Sequence, residues 1–339
     1  MNKYLQLKTT VPQNSAPVGD VPFPRVSVVI PARNEEPHIK QIVQAVFDQG
    51  GKGRELEVVV VDDGSTDGTA HEARKSGARV LELKKENGQG NPGAARNLGA
   101  LHSSGDPIIF LDADCIVTKG WLDALLQGHA QGATVVGGAI DMPPGLPMLA
   151  RCDYYCGWYL VHPKRTSAQV PHHPPPNLSV RRGPFQKTSG FSDQPPLDYT
   201  NEERIWQSEL LKSGHQIYFE SQAIALHYNR PGLGNLMRRN YRWGYTALES
   251  KSQTGAARLA WLYRYPVFLI IMSPLLALAH TAFIISCWVR AGRYEPVSML
   301  PLVLLSRLAY VAGMAVGGVR WLYHRYANTS DHRVEPRWN

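Results

Sequence analysis

Two groups of aspartates, Asp62-Asp63 and Asp112-Ala113-Asp114, have the types and spacing to hold a cation against a phosphate-bearing ligand. A nucleoside diphosphate is itself anionic, so paired carboxylates accept it only through an intermediary cation. Oxygen-rich sites of this kind suit Mg²⁺ or Mn²⁺. A metal so placed neutralises a departing diphosphate as a C–O bond breaks. A calcium loop is not expected, because the Asp-x-Asp-x-Asp-Gly series with its closing glutamate is absent. Asp-x-Asp alone is a common chance pattern, and its weight depends on where the chain puts it.

The run Arg25-Val26-Ser27-Val28-Val29-Ile30-Pro31 is apolar and ended by proline, the pattern of a strand buried on both faces of a parallel sheet. Ile39, Ile42, Val43 and Val46 follow at helical spacing. Leu56 to Val61 is a second buried strand, ending on Asp62-Asp63. Ala70 to Ser76 reads as a short helix, Arg79 to Leu83 as a strand and Gly93 to Leu101 as a helix. The strand Pro107 to Leu111 then delivers Asp112 to its C-terminal edge. Strand and helix alternate, so this half is a doubly wound α/β domain. Ligands of open parallel sheets bind beyond the carboxyl ends of the strands, which turns both acidic groups toward one crevice.

Residues 141–200 carry eleven prolines and are expected to be irregular. Glu202 to Lys212 reads as a helix closed by Gly214, and Gln216 to Glu220 as a strand. Beyond Arg264 the pattern changes. Pro266 to Val289 is 24 residues without a charge, and Val297 to Val319 is a second apolar stretch interrupted by Arg307. A helix needs roughly 20 apolar residues to cross a bilayer. Arg258, Arg264, Arg320 and Arg325 flank the two stretches, with Trp261, Tyr263, Trp288, Trp321 and Tyr323 as interfacial anchors. Joined by only Arg290 to Pro296, they read as a transmembrane hairpin that returns both ends to one side. Arg307 then either snorkels, or the second helix lies partly in the interface. A pair of buried core helices is the alternative.

The chain has 339 residues, 43% hydrophobic and 19% charged, the composition of a folded protein. Its formal net charge of +8 suits an anionic partner. The basic residues gather near the apolar segments, so a membrane or a phosphorylated substrate is expected and nucleic acid is not. Cys115, Cys152, Cys156 and Cys287 form no disulfide or zinc framework and read as packing residues of a reducing compartment. Met1-Asn2-Lys3-Tyr4 opens no apolar run, so an N-terminal secretory route is not expected.

The segments VSVVIPARNEE (26–36), VDDGSTDGT (61–69), ARNLG (95–99), FLDAD (110–114), NLSVRR (177–182), SGF (189–191) and EERIW (202–206) follow one another over about residues 25–230. In that order and spacing the chain resembles the family 2 glycosyltransferases with the GT-A fold. The resemblance implies a doubly wound mixed α/β sheet, Rossmann-like, with a nucleotide-sugar-binding half over 25–140 and an acceptor-binding half over 141–250. A flexible leader (1–24), a membrane-associated region (251–325, helices near 266–289 and 297–319) and a basic tail (326–339) complete the expected organisation.

Carried over by position, Pro31, Ala32, Arg33 and Glu35 would line the nucleoside pocket and Asp63 would face the base. Arg96 and Asn97 would lie on the helix beside the nucleotide, with a cap or packing role for Asn97 open. Asp112, next to Ala113, would approach the ribose or the metal, and Asp114 would be the principal metal ligand. His227, in Ala225-Leu226-His227-Tyr228, resembles a position that joins the metal site in many GT-A enzymes, with a structural role as the alternative.

The family's acceptor-side helix opens on Glu-Asp, which supplies the carboxylate base of inverting transfer. Here the pair is Glu202-Glu203, and counting back from Gly214 aligns Glu203 with the aspartate. The side chain is one methylene longer, so Glu202 stays an alternative base, and both stay open as helix N-terminal acids favoured by the dipole. Gly190, Phe191 and Trp206 fall on the acceptor side. Arg239-Asn240-Tyr241-Arg242-Trp243 resembles the Gln-x-x-Arg-Trp motif of processive synthases, with arginine in place of glutamine. Arg239, Arg242 and Trp243 are expected to meet an acceptor phosphate or anionic headgroups, or to form a solvated basic face.

The implied function is inverting transfer from a nucleotide sugar, a UDP-sugar above all, to a lipid-linked or membrane-proximal saccharide acceptor. The catalytic domain is expected on the cytoplasmic side of the cell (inner or plasma) membrane. A polyprenyl-phosphate glycosyl synthase or a polysaccharide synthase is the runner-up. A nucleotidyltransferase would carry a Gly-rich triphosphate loop where Pro31-Ala32-Arg33-Asn34-Glu35-Glu36 stands. A catalytically silent membrane scaffold would not need every acidic position filled.

Overall fold

Three buried apolar runs and one partly exposed edge strand make one half of the sheet. They are β1 (Arg25–Ala32), β2 (Glu55–Asp62), β3 (Arg79–Glu82) and β4 (Ile108–Leu111), parallel in the order β3-β2-β1-β4. The computed structural model describes residues 23–51, 53–83, 90–194, 196–197, 200–254 and 266–327. Most of the expected leader and tail, together with Arg258, Trp261, Tyr263 and Arg264, lies outside the described residues. Helices α1 (Glu36–Phe47), α2 (Thr69–Lys75) and α3 (Pro92–His102) cross between the strands. Gly99 lets α3 sit tight on the sheet, since a Cβ there would lie 2.3 Å from Val29 Cγ1.

The second half departs from a purely parallel pattern. After β5 (Cys115–Val117), α4 (Trp121–Ala130) and β6 (Val135–Asp141), the chain forms α5 (Met148–Gly157), the short β7 (Ala168–Gln169), β8 (Asn177–Val180) and α6 (Arg182–Gln186). Strand β8 is antiparallel to both β4 and β6 and joins the two halves into one mixed sheet. The proline-rich stretch is therefore more ordered than expected. Its prolines bound the elements rather than interrupt them: Pro147 is the residue before α5, and Pro184 falls in the first turn of α6, where no hydrogen bond is lost.

Helix α7 (Arg204–Lys212) begins after the paired glutamates, with Glu203 at its N-cap rather than inside it. Strand β9 (Ile217–His227) runs seven residues past Glu220, because its second half finds a partner in β5. Register pairs Cys115 with His227 there, which carries His227 to Asp114.

Among the described residues five C-terminal helices follow: α8 (Leu233–Thr254), α9 (Pro266–Ile271), α10 (Ser273–Arg290), α11 (Glu295–Ser298) and α12 (Leu300–Ala327). The first apolar stretch is broken at Met272, where Pro274 removes a backbone donor from the next turn. By length and composition, Ser273–Arg290 and Leu300–His324 suffice to cross a membrane. Helices α8 and α12 run side by side at backbone contact: a Cβ on Gly244 would lie 1.8 Å from the Tyr310 carbonyl oxygen, and one on Gly313 2.0 Å from that of Tyr241.

One expectation about this region needs correction. Arg307 neither snorkels nor lies at a surface. It is 2% exposed and turns inward, donating to Asn240 of α8 and to Ser306 Oγ. That leaves Leu305, Leu308, Val316 and Val319 as an outward face of α12 without a charge. The turn between α10 and α12, moreover, is docked on the catalytic domain. Trp288 is buried and donates to the Tyr155 carbonyl at 2.8 Å, Arg293 pairs with Asp141 at 2.8 Å, and Glu295 pairs with Arg151 at 2.8 Å.

Candidate active site

Both acidic turns emerge at the C-terminal edge of the parallel strands. Asp62 closes its own turn by accepting from the Ser65 amide at 3.0 Å. Asp63 is 4% exposed and accepts from the Asn91 amide at 2.6 Å, tying β2 to the start of α3. Arg33 stands beside it, for a Cβ on Gly90 would meet Arg33 Nη1 and Asp63 Oδ2 together. Pro31 and Ala32 end β1 opposite Val61 and Asp62. Glu35 is buried, paired with Arg230 at 2.7 Å and with His38 at 3.2 Å. Burial, and then the neighbouring charge of Asp114, push its carboxyl upward.

Strand β4 ends in the Asp112-Ala113-Asp114 turn. Asp114 Oδ1 lies 3.5 Å from His227 Nε2, and with Cys115 Sγ these donor atoms fall within 4.8 Å of one another. Burial drives the Cys115 thiol well above its ordinary value, so it stays protonated and points a weak donor at Asp114, 3.8 Å away. A carboxylate and an imidazole can hold a divalent cation such as Mn²⁺. Asp112, near enough to feel the charges of Asp114 and His227, is held from another side. Its Oδ1 accepts from Arg96 at 2.5 Å, and Arg96 reaches on to Glu202 at 2.6 Å.

That bridge is the feature sequence reading missed. Arg96 is 3% exposed and charged, held between two carboxylates; it does not lie open beside a nucleotide. It joins the turn after β4 to the turn before α7. Glu202 is consequently engaged, although burial pushes its carboxyl up to about 7 against the pull of Arg96. Glu203 has a different partner, His172. Burial holds His172 well below its ordinary value, so the ring is neutral and its Nε2–H donates to the Glu203 carboxylate. Burial raises the Glu203 carboxyl as well.

Several expected acceptor residues are packing residues instead. Phe191 and Trp206 are at most 1% exposed, their rings 5.5 Å apart beside Phe185. Asn97 both donates to and accepts from the Phe191 backbone, at 2.8 and 2.9 Å, which is the packing role left open for it. Gly190 is the buried turn before Phe191, at φ +68°. Arg239 is committed inside the protein to Asp153 at 2.8 Å and stacks over Trp158 and Trp243. Arg242 is exposed at the surface of α8.

Comparison with known proteins bears on the family and the fold. The model for glycosyl transferase family 2 matches residues 27–187. The glycosyltransferase AglE of Haloferax volcanii is 31% identical over 229 residues, 66% of this chain and 72% of that one. The undecaprenyl-phosphate 4-deoxy-4-formamido-L-arabinose transferase of Edwardsiella ictaluri is 33% identical over 117 residues, 33% of this chain and 36% of its own length. A mannosyltransferase from Pyrobaculum calidifontis, solved with GDP-Man and Mn²⁺, has the same fold, with TM-score 0.59 over 87% of each chain at 19% identity. The mixed GT-A sheet, the acidic turns at its edge and the similarity to AglE along most of that protein's length place the chain in glycosyl transferase family 2, as a glycosyltransferase.

Proposed function

We propose that the protein transfers one sugar from a nucleotide diphosphate sugar, a UDP-sugar first, to a lipid-linked or membrane-proximal acceptor with inversion. The observation that carries the reading is the meeting of Asp114 and His227 at the crevice, with buried Glu203 on the far side of the Arg96 bridge. Asp114 and His227 would hold Mn²⁺ or Mg²⁺, which supplies charge neutralisation for the leaving diphosphate. Arg33 and Asp63 flank the nucleoside side. Glu203 takes the proton of the acceptor hydroxyl as its oxygen attacks the anomeric carbon, and the bond to the diphosphate breaks. His172 keeps that carboxylate oriented. Arg96 keeps Asp112 and Glu202 in place, so neither is the base.

Stabilisation by a panel of nucleotide sugars tests the donor. A ligand present at about 100 times its Kd adds roughly 2.7 kcal/mol of stability. One sugar class should raise the melting temperature by several degrees with Mn²⁺ and much less with EDTA. Equal stabilisation by every nucleotide, with or without metal, would remove the reading.

Membrane contact is supported by the uncharged outer face of α12 and by Ile271, Leu275 and Leu278 on the neighbouring helices, all exposed. We place the catalytic domain on the cytoplasmic side of the cell membrane. Extraction should require detergent rather than a salt wash. The docked turn adds a sharper expectation. In sealed vesicles, Tyr294→Cys should react with an impermeant maleimide from the same side as Lys119→Cys in the catalytic domain; reaction from opposite sides would refute the docking. A polymer-extruding synthase is disfavoured, because Arg239 is consumed by Asp153. Transfer onto polyprenyl phosphate itself is the second reading, supported by the likeness to the Edwardsiella transferase, and acceptor assays with that phosphate distinguish it.

A further inference from the structure

His227 is oriented by two buried residues that the reaction scheme does not use. The Asp153 carboxylate only accepts hydrogen bonds, so Asn229 turns its Nδ2 toward it, at 2.7 Å. The amide oxygen of Asn229 therefore faces His227 Nδ1, at 3.0 Å. That oxygen also only accepts, so Nδ1 carries the ring hydrogen. In the neutral ring the lone pair is then at Nε2, which faces Asp114 Oδ1 at 3.5 Å. Two electron-pair donors facing each other at that distance are arranged for a cation between them.

The support continues outward. Asn229 and Asp153 are 2% and 3% exposed, so water does not compete for these bonds. Arg239 of α8 pairs with Asp153 and is stacked at 5.4 Å over Trp158 and 4.5 Å over Trp243. Trp158 also packs on the His227 ring, at 5.1 Å between centroids. Gly157 makes room, since a Cβ there would lie 2.4 Å from Arg239 Nη2. The imidazole is thus fixed in both tautomer and tilt.

We propose that Asn229 and Asp153 are positioning residues that hold His227 as the Nδ1–H tautomer with Nε2 aimed at Asp114, and so set the divalent-cation affinity of the site. This rests on the reading of Asp114 and His227 as the cation's ligands. Without Asn229 the ring is free to carry its hydrogen on Nε2, which turns an N–H toward the cation. Partners that orient a ligating histidine in this way are worth roughly 10- to 100-fold in metal affinity.

The test is titration of the full-length protein in detergent with Mn²⁺, following free Mn²⁺ by its electron paramagnetic resonance signal. Asn229→Ala should weaken binding by roughly 10- to 100-fold. Asp153→Asn, which keeps the volume but lets the amide turn either way, should fall between Asn229→Ala and wild type, and it reports even where Asn229→Ala folds poorly. The double variant His227→Ala/Asn229→Ala should bind no worse than His227→Ala alone, because Asn229 acts only through the ring. Wild-type affinity in Asn229→Ala or Asp153→Asn, with His227→Ala impaired, overturns the positioning role and leaves the ligand reading standing. Losses that multiply in the double variant overturn it too. Wild-type affinity in His227→Ala refutes the ligand reading itself.

Discussion

Replacing Asp114 with alanine is expected to abolish metal-dependent turnover while leaving the fold intact. The side chain is partly exposed and its structural work is done by the backbone, whose carbonyl accepts from the Tyr228 amide at 2.8 Å. That bond survives the substitution. What would be lost is the carboxylate proposed to hold the cation, and with it several kcal/mol of charge stabilisation at the departing diphosphate. About 4 kcal/mol corresponds to roughly a thousandfold in rate. Mn²⁺ affinity should fall in parallel, and melting in EDTA should match wild type. Asp112→Ala is the contrasting variant. It breaks a partly buried ion pair and leaves buried Arg96 short of one carboxylate, so melting temperature should drop along with rate. Wild-type turnover in Asp114→Ala would remove the metal mechanism altogether.

The parallel half of the sheet was readable because its evidence is local. Val28 to Ile30, Val58 to Val61 and Ile108 to Leu111 are continuous apolar runs, and a strand covered on both faces needs nothing else. Their ends fixed where Asp63 and Asp114 emerge. The antiparallel joint was hidden: Asn177-Leu178-Ser179-Val180 is four residues long, and only β4 and β6 on either side make it a central strand. Pairing at a distance was equally invisible. No spacing rule links Arg96 to Glu202, or Asn229 to Asp153, because each contact depends on how separate elements pack. Phe191 and Trp206 misled for a related reason. Motif position assigns them to the acceptor half, but burial alone separates a residue lining a pocket from one supporting it. Arg307 looked like a defect in a membrane helix until α8 supplied Asn240 as its partner.

Glu203→Gln should leave donor and Mn²⁺ binding unchanged and lower the rate of transfer by roughly 10²- to 10⁴-fold, the range for losing a positioned base. Glutamine keeps the volume and still accepts from His172, so the N-cap of α7 and the local packing survive. It cannot take the acceptor proton. Glu202→Gln separates the two carboxylates by a different phenotype. There the amide oxygen keeps one bond to Arg96 but the charge is gone, at a cost of roughly 1.5–3 kcal/mol in stability with substantial turnover retained. The pH profile supplies an independent sign. A base must be ionised to act, and burial raises Glu203 above the ordinary 4.5, so the acid limb of kcat should lie above that value and vanish in Glu203→Gln. A limb at or below 4.5 would mean the base is exposed to water, which Glu203, at 3% exposure, is not. If Glu202→Gln proves inactive and Glu203→Gln active, the proton moves to the carboxyl that Arg96 holds. The bridge to Asp112 would then belong to the acceptor chemistry rather than to the scaffold.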